Sequence, residues 1–477
     1  MKVLCSLLAR VGPLAGVAIS LAVAACDDET VYTPTPEPPL VARATAPPAS
    51  APTAAAPTAP APATPAPTRA KTRLSERIDN AADSGVAGET VNVELLRSFY
   101  ARHDYAPVWT TRQRQADQLT EAVARAGDHG LRPELFYVSV LRSSSTLPEL
   151  DRELLLTNAF LAYADALARG AVPIERRRDD EVLAPDKVDV TAALDTALDS
   201  SDPASVIEAL APTTPTYRAL RQTLQKSRAG SAAADKVAAA HWREIEVNLE
   251  RERWLPRKLP PDRVWVNTAD QRLVLYRDDQ PVFSTKVIVG QEERRNQSPE
   301  FQVPIDAIYF NPPWNIPTDI ANDEILPKAK GDPTYLERHN LVLLPDGVLQ
   351  QKAGPNSGLG YLMFDMRNKF DVYLHDTPSK NLFALDNRRI SHGCIRVENP
   401  RQLAALLMRL SPEAIDQAIA GGDTTRRTLP KPVPVFVVYE TAFADADGKL
   451  QFRADAYRRD AAVWQAMGPK SRAVAER

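Results

Sequence analysis

Cys394 and His375 are the side chains of this 477-residue chain best suited to nucleophilic chemistry. Of three cysteines, Cys5 falls in an apolar leader and Cys26 at its end, so Cys394 is the thiol left in the body of the chain. It lies in Ser391-His392-Gly393-Cys394-Ile395-Arg396. There the glycine leaves room for a carbonyl to approach, and for the Gly393 and Cys394 N–H groups to point at one oxygen. His375 ends the run Val372-Tyr373-Leu374, a strand able to bring its imidazole beside the loop, take the thiol proton and yield a thiolate. A buried structural cysteine with core or surface histidines is the competing reading of those two residues alone. A metal site is not expected, because His375, Asp376 and His392 lack Cys-x-x-Cys or His-Glu-x-x-His spacing.

The elements that must position these residues change character along the chain. From 71 to 253 the periodicity is helical: Phe160, Tyr163, Ala164 and Leu167 share one face, and Ala238, Trp242, Ile245 and Leu249 another. The run Arg176 to Glu181 reads as a solvated connection, and His103, His129 and His241 as surface or capping histidines. After Pro256 the period becomes two. Strands are predicted at 264–267, 272–277, 281–290, 301–310, 341–344, 372–375 and 433–439, with a turn at Asp278-Asp279-Gln280 and another at Asp447-Gly448. One helix follows the Cys394 loop, with Asn399 as cap, Pro400 in the first turn, and Leu403, Leu406, Leu407 and Leu410 on one face. The fold class is therefore α+β, a helical half followed by a mainly β half.

The N-terminal 70 residues belong to neither half. Lys2 and Arg10 precede an apolar stretch ending Val23-Ala24-Ala25-Cys26, which reads as a lipoprotein signal over 1–25 with Cys26 as lipid attachment; a plain secretory signal is the alternative. Either exports the chain, and Asp27 and Asp28 resemble an inner-membrane retention signal, so a periplasmic, membrane-anchored protein is expected. Residues 26–70 form a tether, in which Thr30 to Thr68 holds 12 of the 41 prolines and almost no charge. At ~3.1 Å per residue it would reach on the order of 100 Å. A net charge of −3 gives no basic surface for nucleic acid, and three cysteines make no disulfide scaffold. Residues 466–477 read as a disordered tail.

The pattern His375, fifteen residues, then Ser391-His392-Gly393-Cys394 resembles the signature of the L,D-transpeptidase (YkuD-type) catalytic domain. Tyr373 to Pro378, Leu382-Phe383, Arg388 and Ser391 to Val397 resemble the large YcbB-like murein branch, in which Arg396 stands where the wider family has Asn. Phe99-Tyr100 to Trp109, Asn248 to Pro256, Asn311 to Pro317 and Phe452 to Asp460 have counterparts there too. The resemblance implies a helical scaffold domain (71–253) and a catalytic domain (254–465) carrying a substrate-capping insertion over about 317–349. It implies a cofactor-free cysteine acyltransferase that takes peptidoglycan stem peptides as donor and acceptor, forms 3-3 cross-links through a Cys394 thioester, releases D-alanine, and is acylated by carbapenems. His375 is then base and acid, Gly393 and Cys394 supply the oxyanion hole, and His392 shapes the loop or touches substrate. Arg396 orients a stem carboxylate or pairs with a neighbouring acid. Ser391, Trp314, Tyr335 and Tyr373 are further candidate contacts, and Ser357 to Gly360 a stretch near the site. The glycan-binding module that many relatives insert is replaced by Lys226 to Asp235, and an Arg common before Gly354-Pro355 is missing. The same acyl-enzyme would also serve a carboxypeptidase or endopeptidase, or attach a protein to the wall; a silent wall-binding lipoprotein is the reading from another class.

Overall fold

The computed structural model describes residues 72–468; the expected leader, Cys26, the tether and most of the expected tail lie outside them. The first half is helical, its longest helices being Glu149–Arg169 and Ala232–Glu252. Glu149–Arg169 is central: from Glu153 to Leu161 every residue is buried, so that stretch is covered on all sides. Its buried Glu153 accepts from the Tyr100 hydroxyl (2.9 Å) and the Trp109 backbone N–H (3.1 Å), and the Trp109 indole N–H donates to Thr157 (2.9 Å). The polar atoms of the Phe99 to Trp109 segment are thus satisfied inside the helical core.

Three expectations for this half are corrected. Trp242 is 40 % exposed rather than on the buried face, and meets Trp464 edge-on at 5.4 Å. His129 is buried, its ring between the Tyr217 hydroxyl (2.8 Å) and Glu208 (3.1 Å). The 176–181 connection is docked: Glu181 is buried, Arg177 stacks over Trp254 at 4.1 Å, and Glu300 N–H donates to the Asp180 carbonyl (2.7 Å). The run is thus partly docked through Arg177, Asp180 and Glu181, while Arg176 and Asp179 stay exposed.

The second half is built from β1 (Arg263–Asn267), β2 (Arg272–Arg277), β3 (Gln280–Gly290), β4 (Phe301–Phe310), β5 (Trp314–Asn315), β6 (Leu341–Leu343) and β7 (Leu349–Gln351). It continues with β8 (Leu362–Asp365), β9 (Leu374–His375), β10 (Arg389–Ser391), β11 (Ile395–Val397), β12 (Thr425–Val438), β13 (Ala442–Ala444) and β14 (Leu450–Phe452). The main sheet runs β10-β3-β11-β9-β8-β4-β12-β1-β2, and β2 pairs back onto β3, so all but β10 form a closed ring. Asp278 and Asp279, both at positive φ, turn β2 into β3, as a two-residue hairpin of this hand requires. The helix Pro400–Met408 buries Leu403 and Leu407 against the ring, but Leu410 is 41 % exposed. Asn399 does not cap it; its side chain donates to Thr285 instead (3.0 Å).

The segment Asn248 to Pro256 joins the halves. Asn248 donates to Thr441 (2.7 Å), Arg251 pairs with Asp460 (2.5 Å), and Arg253 pairs with Glu250 (3.0 Å). Glu250 also accepts from the Val172 N–H (2.8 Å) and the Trp254 indole N–H (3.1 Å). Because these charges are buried and paired, removing one partner would strand the other in a low dielectric.

Candidate active site

The loop bearing Cys394 is set by strand β3, which is flanked by β10 on one side and β11 on the other. Ser391 pairs with Gly290 at the end of β3, and the chain crosses that end through His392 and Gly393 before returning as β11. The crossing needs small residues. A Cβ on Gly290 would lie 2.0 Å from the Asn296 carbonyl oxygen, and Gly393 has φ 127, which side-chain-bearing residues avoid. Ser391 locks the turn from within: its hydroxyl accepts from the Gly393 N–H (3.2 Å) and donates to the Cys394 carbonyl (2.7 Å).

Parallel pairing of β11 with β9 sets Ile395 against Leu374 and Arg396 against His375. Residues two apart share a face, so Cys394 and Arg396 lie on the same side as Tyr373 and His375. Cys394, 1 % exposed, accepts from the Tyr373 N–H at its sulfur (3.4 Å) and donates its S–H toward the Asp371 carbonyl (3.7 Å). His375 is one pleat further along the strand, a diagonal that long side chains span. The sequence reading of a strand delivering the histidine holds, although the strand is only Leu374–His375; Asp371, at φ 53, breaks the extended path before it.

The other candidate residues lie apart from one another. Arg396 is buried between Ile288 of β3 and His375 of β9, inside the sheet at the site. His392 faces the insertion, its Nε2 3.1 Å from Glu324 in a single π turn over Ala321–Ile325. Tyr335 lies further along the insertion, partly buried and tilted against His339 at 4.3 Å. Trp314 is corrected: at 1 % exposure on β5 it is part of the core and presents no face to a groove. The Gly393 N–H, named as an oxyanion donor, here donates to the Ser391 hydroxyl (3.2 Å). Ser357 to Gly360 does reach the site's flank. Gly360 packs where a Cβ would meet Asp376 at 2.5 Å, and Asp376 accepts the Tyr361 and Thr377 N–H groups and pairs with Lys380 (2.6 Å).

Sequence reasoning missed the support beneath the loop. Ser298 donates its hydroxyl to the Gly393 carbonyl (2.6 Å) and accepts from the Gly290 N–H (2.9 Å), while the Tyr457 hydroxyl donates to the Gly290 carbonyl (2.6 Å). Arg459 holds the Ser298 carbonyl (3.0 Å), Glu300 (2.9 Å) and Asp180 (2.8 Å). Burial pushes Glu300 up to about 7, with Glu181 adding to it and Arg459 opposing. Beside the loop opens a cleft of about 510 Å³ whose walls include Asp179, Arg294, Arg295, Phe370, Val372, His392 and Gly393.

Residues 94–224 match the family described as a scaffold domain, and residues 261–435 the family described as the L,D-transpeptidase catalytic domain, YkuD. A Haemophilus influenzae protein provisionally named an L,D-transpeptidase is 26 % identical over 393 residues, covering 77 % of this chain and 78 % of that one. Two solved structures are similar at 11 % identity over 38 % of this chain. One is an Ldtfm-avibactam carbamoyl enzyme (49 % of that chain, TM-score 0.21). The other is a cysteine-to-serine mutant of an Enterococcus faecium L,D-transpeptidase (50 % of that chain, TM-score 0.20). The chain spans about half of each.

Proposed function

We propose, for a chain that carries a scaffold domain followed by an L,D-transpeptidase catalytic domain, that Cys394 transfers acyl groups between peptidoglycan stem peptides and forms 3-3 cross-links. The observation that supports this reading is the parallel pairing of β9 and β11, which registers His375 with Arg396, two residues beyond Cys394 and its glycine-bearing loop. His375 takes the thiol proton, and Sγ adds to the carbonyl of the donor's third residue. Backbone N–H groups of the Gly393–Cys394 turn serve the forming oxyanion. His375 then returns the proton to the leaving amine, the C–N bond to D-alanine breaks, and a thioester remains. A stem amine attacks that carbonyl, the C–S bond breaks, and the amine proton returns through His375 to the thiolate.

The insertion caps the donor, held over the loop by Glu324 and His392. Arg396, buried beside His375, places positive charge where a stem carboxylate or the forming oxyanion would lie. Anchoring through Cys26 and a place in the periplasm belong to the same reading, and would hold the catalytic half within reach of the wall. A carbapenem should acylate Cys394. Intact-mass measurement should find one added drug on the protein and none on Cys394→Ser; a persistent adduct on the variant would remove Cys394 from its role.

A further inference from the structure

Between β14 and the terminal helix Asp460–Ala466 the chain returns to the end of β3. Asp455 fixes the passage: one carboxylate oxygen accepts from the Tyr439 hydroxyl (2.8 Å) and the Arg459 N–H (2.9 Å), the other from the Asp460 N–H (3.0 Å). Tyr457 is buried, stacks on Tyr439 with ring centroids 5.1 Å apart and planes 8° from parallel, and donates its own N–H to the Tyr439 hydroxyl (2.9 Å). Held in this way, its hydroxyl donates to the Gly290 carbonyl (2.6 Å) and accepts from the Ser298 N–H (3.4 Å). Burial raises the phenol above its ordinary pKa, so the donor proton stays in place.

Gly290 has no room for a side chain, so its place depends on what grips its backbone. Its N–H donates to the Ser298 hydroxyl oxygen (2.9 Å), and that hydroxyl donates in turn to the Gly393 carbonyl (2.6 Å). Three hydrogen bonds therefore run from Tyr457 through Gly290 and Ser298 to Gly393. The Gly393 carbonyl and the Cys394 N–H belong to one planar trans peptide and point to opposite sides of it, so whatever grips the carbonyl aims the N–H. We propose that Tyr457 is a positioning residue for acyl transfer: through Gly290 and Ser298 it aims the Cys394 N–H, one of the turn's two, at the oxygen of the carbonyl that Sγ attacks. The inference rests on the acyl-transfer reading above. It assigns Tyr457 to one step, carbonyl addition, in which negative charge gathers on that oxygen and a misaimed donor costs most. Bonds in such a chain polarise one another, so loss of the first is felt at the last. Thiolate formation is a separate matter, since the β9–β11 pairing that registers His375 lies outside the relay.

The test compares two reactions of one thiol in the full chain, at a temperature where melting curves show native and variant proteins folded. A carbapenem acylates Cys394 by addition to its lactam carbonyl and needs the aimed N–H; iodoacetamide alkylates the thiolate by displacement of iodide and does not. Intact-mass spectrometry reads both rates, the second between pH 5 and pH 9. Tyr457→Phe keeps the ring on Tyr439 and removes the hydroxyl alone. It should slow carbapenem acylation by roughly ten- to hundredfold, with the alkylation rate and its pH profile within about twofold of native. Ser298→Ala cuts the relay at its next bond and should show the same split, and the double variant should be no slower than the slower single one. A contact that is merely structural would move both rates together or neither, and either result for Tyr457→Phe overturns the proposal, as does an additive double variant. A native chain that iodoacetamide alkylates and a carbapenem does not acylate overturns the acyl-transfer reading, and the proposal with it.

Discussion

Ser298 ties together atoms that are far apart in sequence: its hydroxyl bridges the Gly290 N–H and the Gly393 carbonyl, and both ends are buried. Ser298→Ala should leave those two groups without a partner and let the Cys394 loop shift, lowering kcat by roughly ten- to hundredfold. The check is steady-state D-alanine release at saturating donor; a kcat within twofold of native would mean the loop is held without Ser298. His375→Gln should cut the acylation rate by about 10²- to 10⁴-fold, read as the rate of carbapenem adduct formation, because the thiol then lacks its base. Cys394 and His375 were legible because a lone thiol, a glycine before it and a histidine ending an apolar run are local signals. Ser298 was not, since it meets the loop across 95 residues, and although Tyr457 falls in a segment singled out by resemblance, its bond to Gly290 spans 167 residues and is invisible in the sequence. The contact of the Gly393 N–H was hidden for a related reason: the spacing shows where a donor is, but not that the Ser391 hydroxyl accepts from it.

Among the elements, β3 carries the site, since its end at Gly290 is where the catalytic loop crosses over. Gly290→Ala would force a carbon to 2.0 Å from the Asn296 carbonyl oxygen, and backbone has nowhere to go there. Its cost should exceed about 3 kcal/mol, seen as a large fall in Tm or loss of soluble protein; a melting curve like the native one would show that the crossing is looser than described. The insertion depends on a lighter contact. Glu324→Ala removes the pair with His392, and since partly exposed ion pairs contribute about 0.2–1 kcal/mol, KM for the donor should rise about two- to fivefold with Tm little changed. Strands β2 and β4 run over the residues their alternation predicts, 272–277 and 301–310. Ends were harder to read wherever one residue leaves the pattern, as Asp371 does before β9, or where a side chain prefers another partner, as Asn399 prefers Thr285.

Across the whole molecule, the helical and β halves meet over buried charge, and this should make stability depend on pH. Glu300, enclosed with Arg459 and close to Glu181 and Arg251, is pushed by burial from 4.5 up to about 7. Glu440 is also raised by burial, and further by the neighbouring Glu252. A carboxyl whose pKa is raised on folding holds its proton more tightly in the folded chain. Its contribution is complete below about pH 4.5 and is lost as pH climbs through about 7. Urea denaturation at pH 5 and pH 8 should therefore show native protein losing more stability over that interval than Glu300→Gln, whose side chain cannot ionise. Parallel losses would place the titration elsewhere. Composition revealed the two halves by their change of period, but not this seam: the run 176–181 reads as solvated until Arg459 is seen to hold both Asp180 and Glu300.

The central claim, acyl transfer from one stem to another through Cys394, is tested most directly by incubating the protein and Cys394→Ala with disaccharide-tetrapeptides and sequencing the products by tandem mass spectrometry. The account predicts dimers joined between the third residues of two stems, with free D-alanine, from the native chain alone. Products identical in the presence and absence of the Cys394 thiol would contradict it.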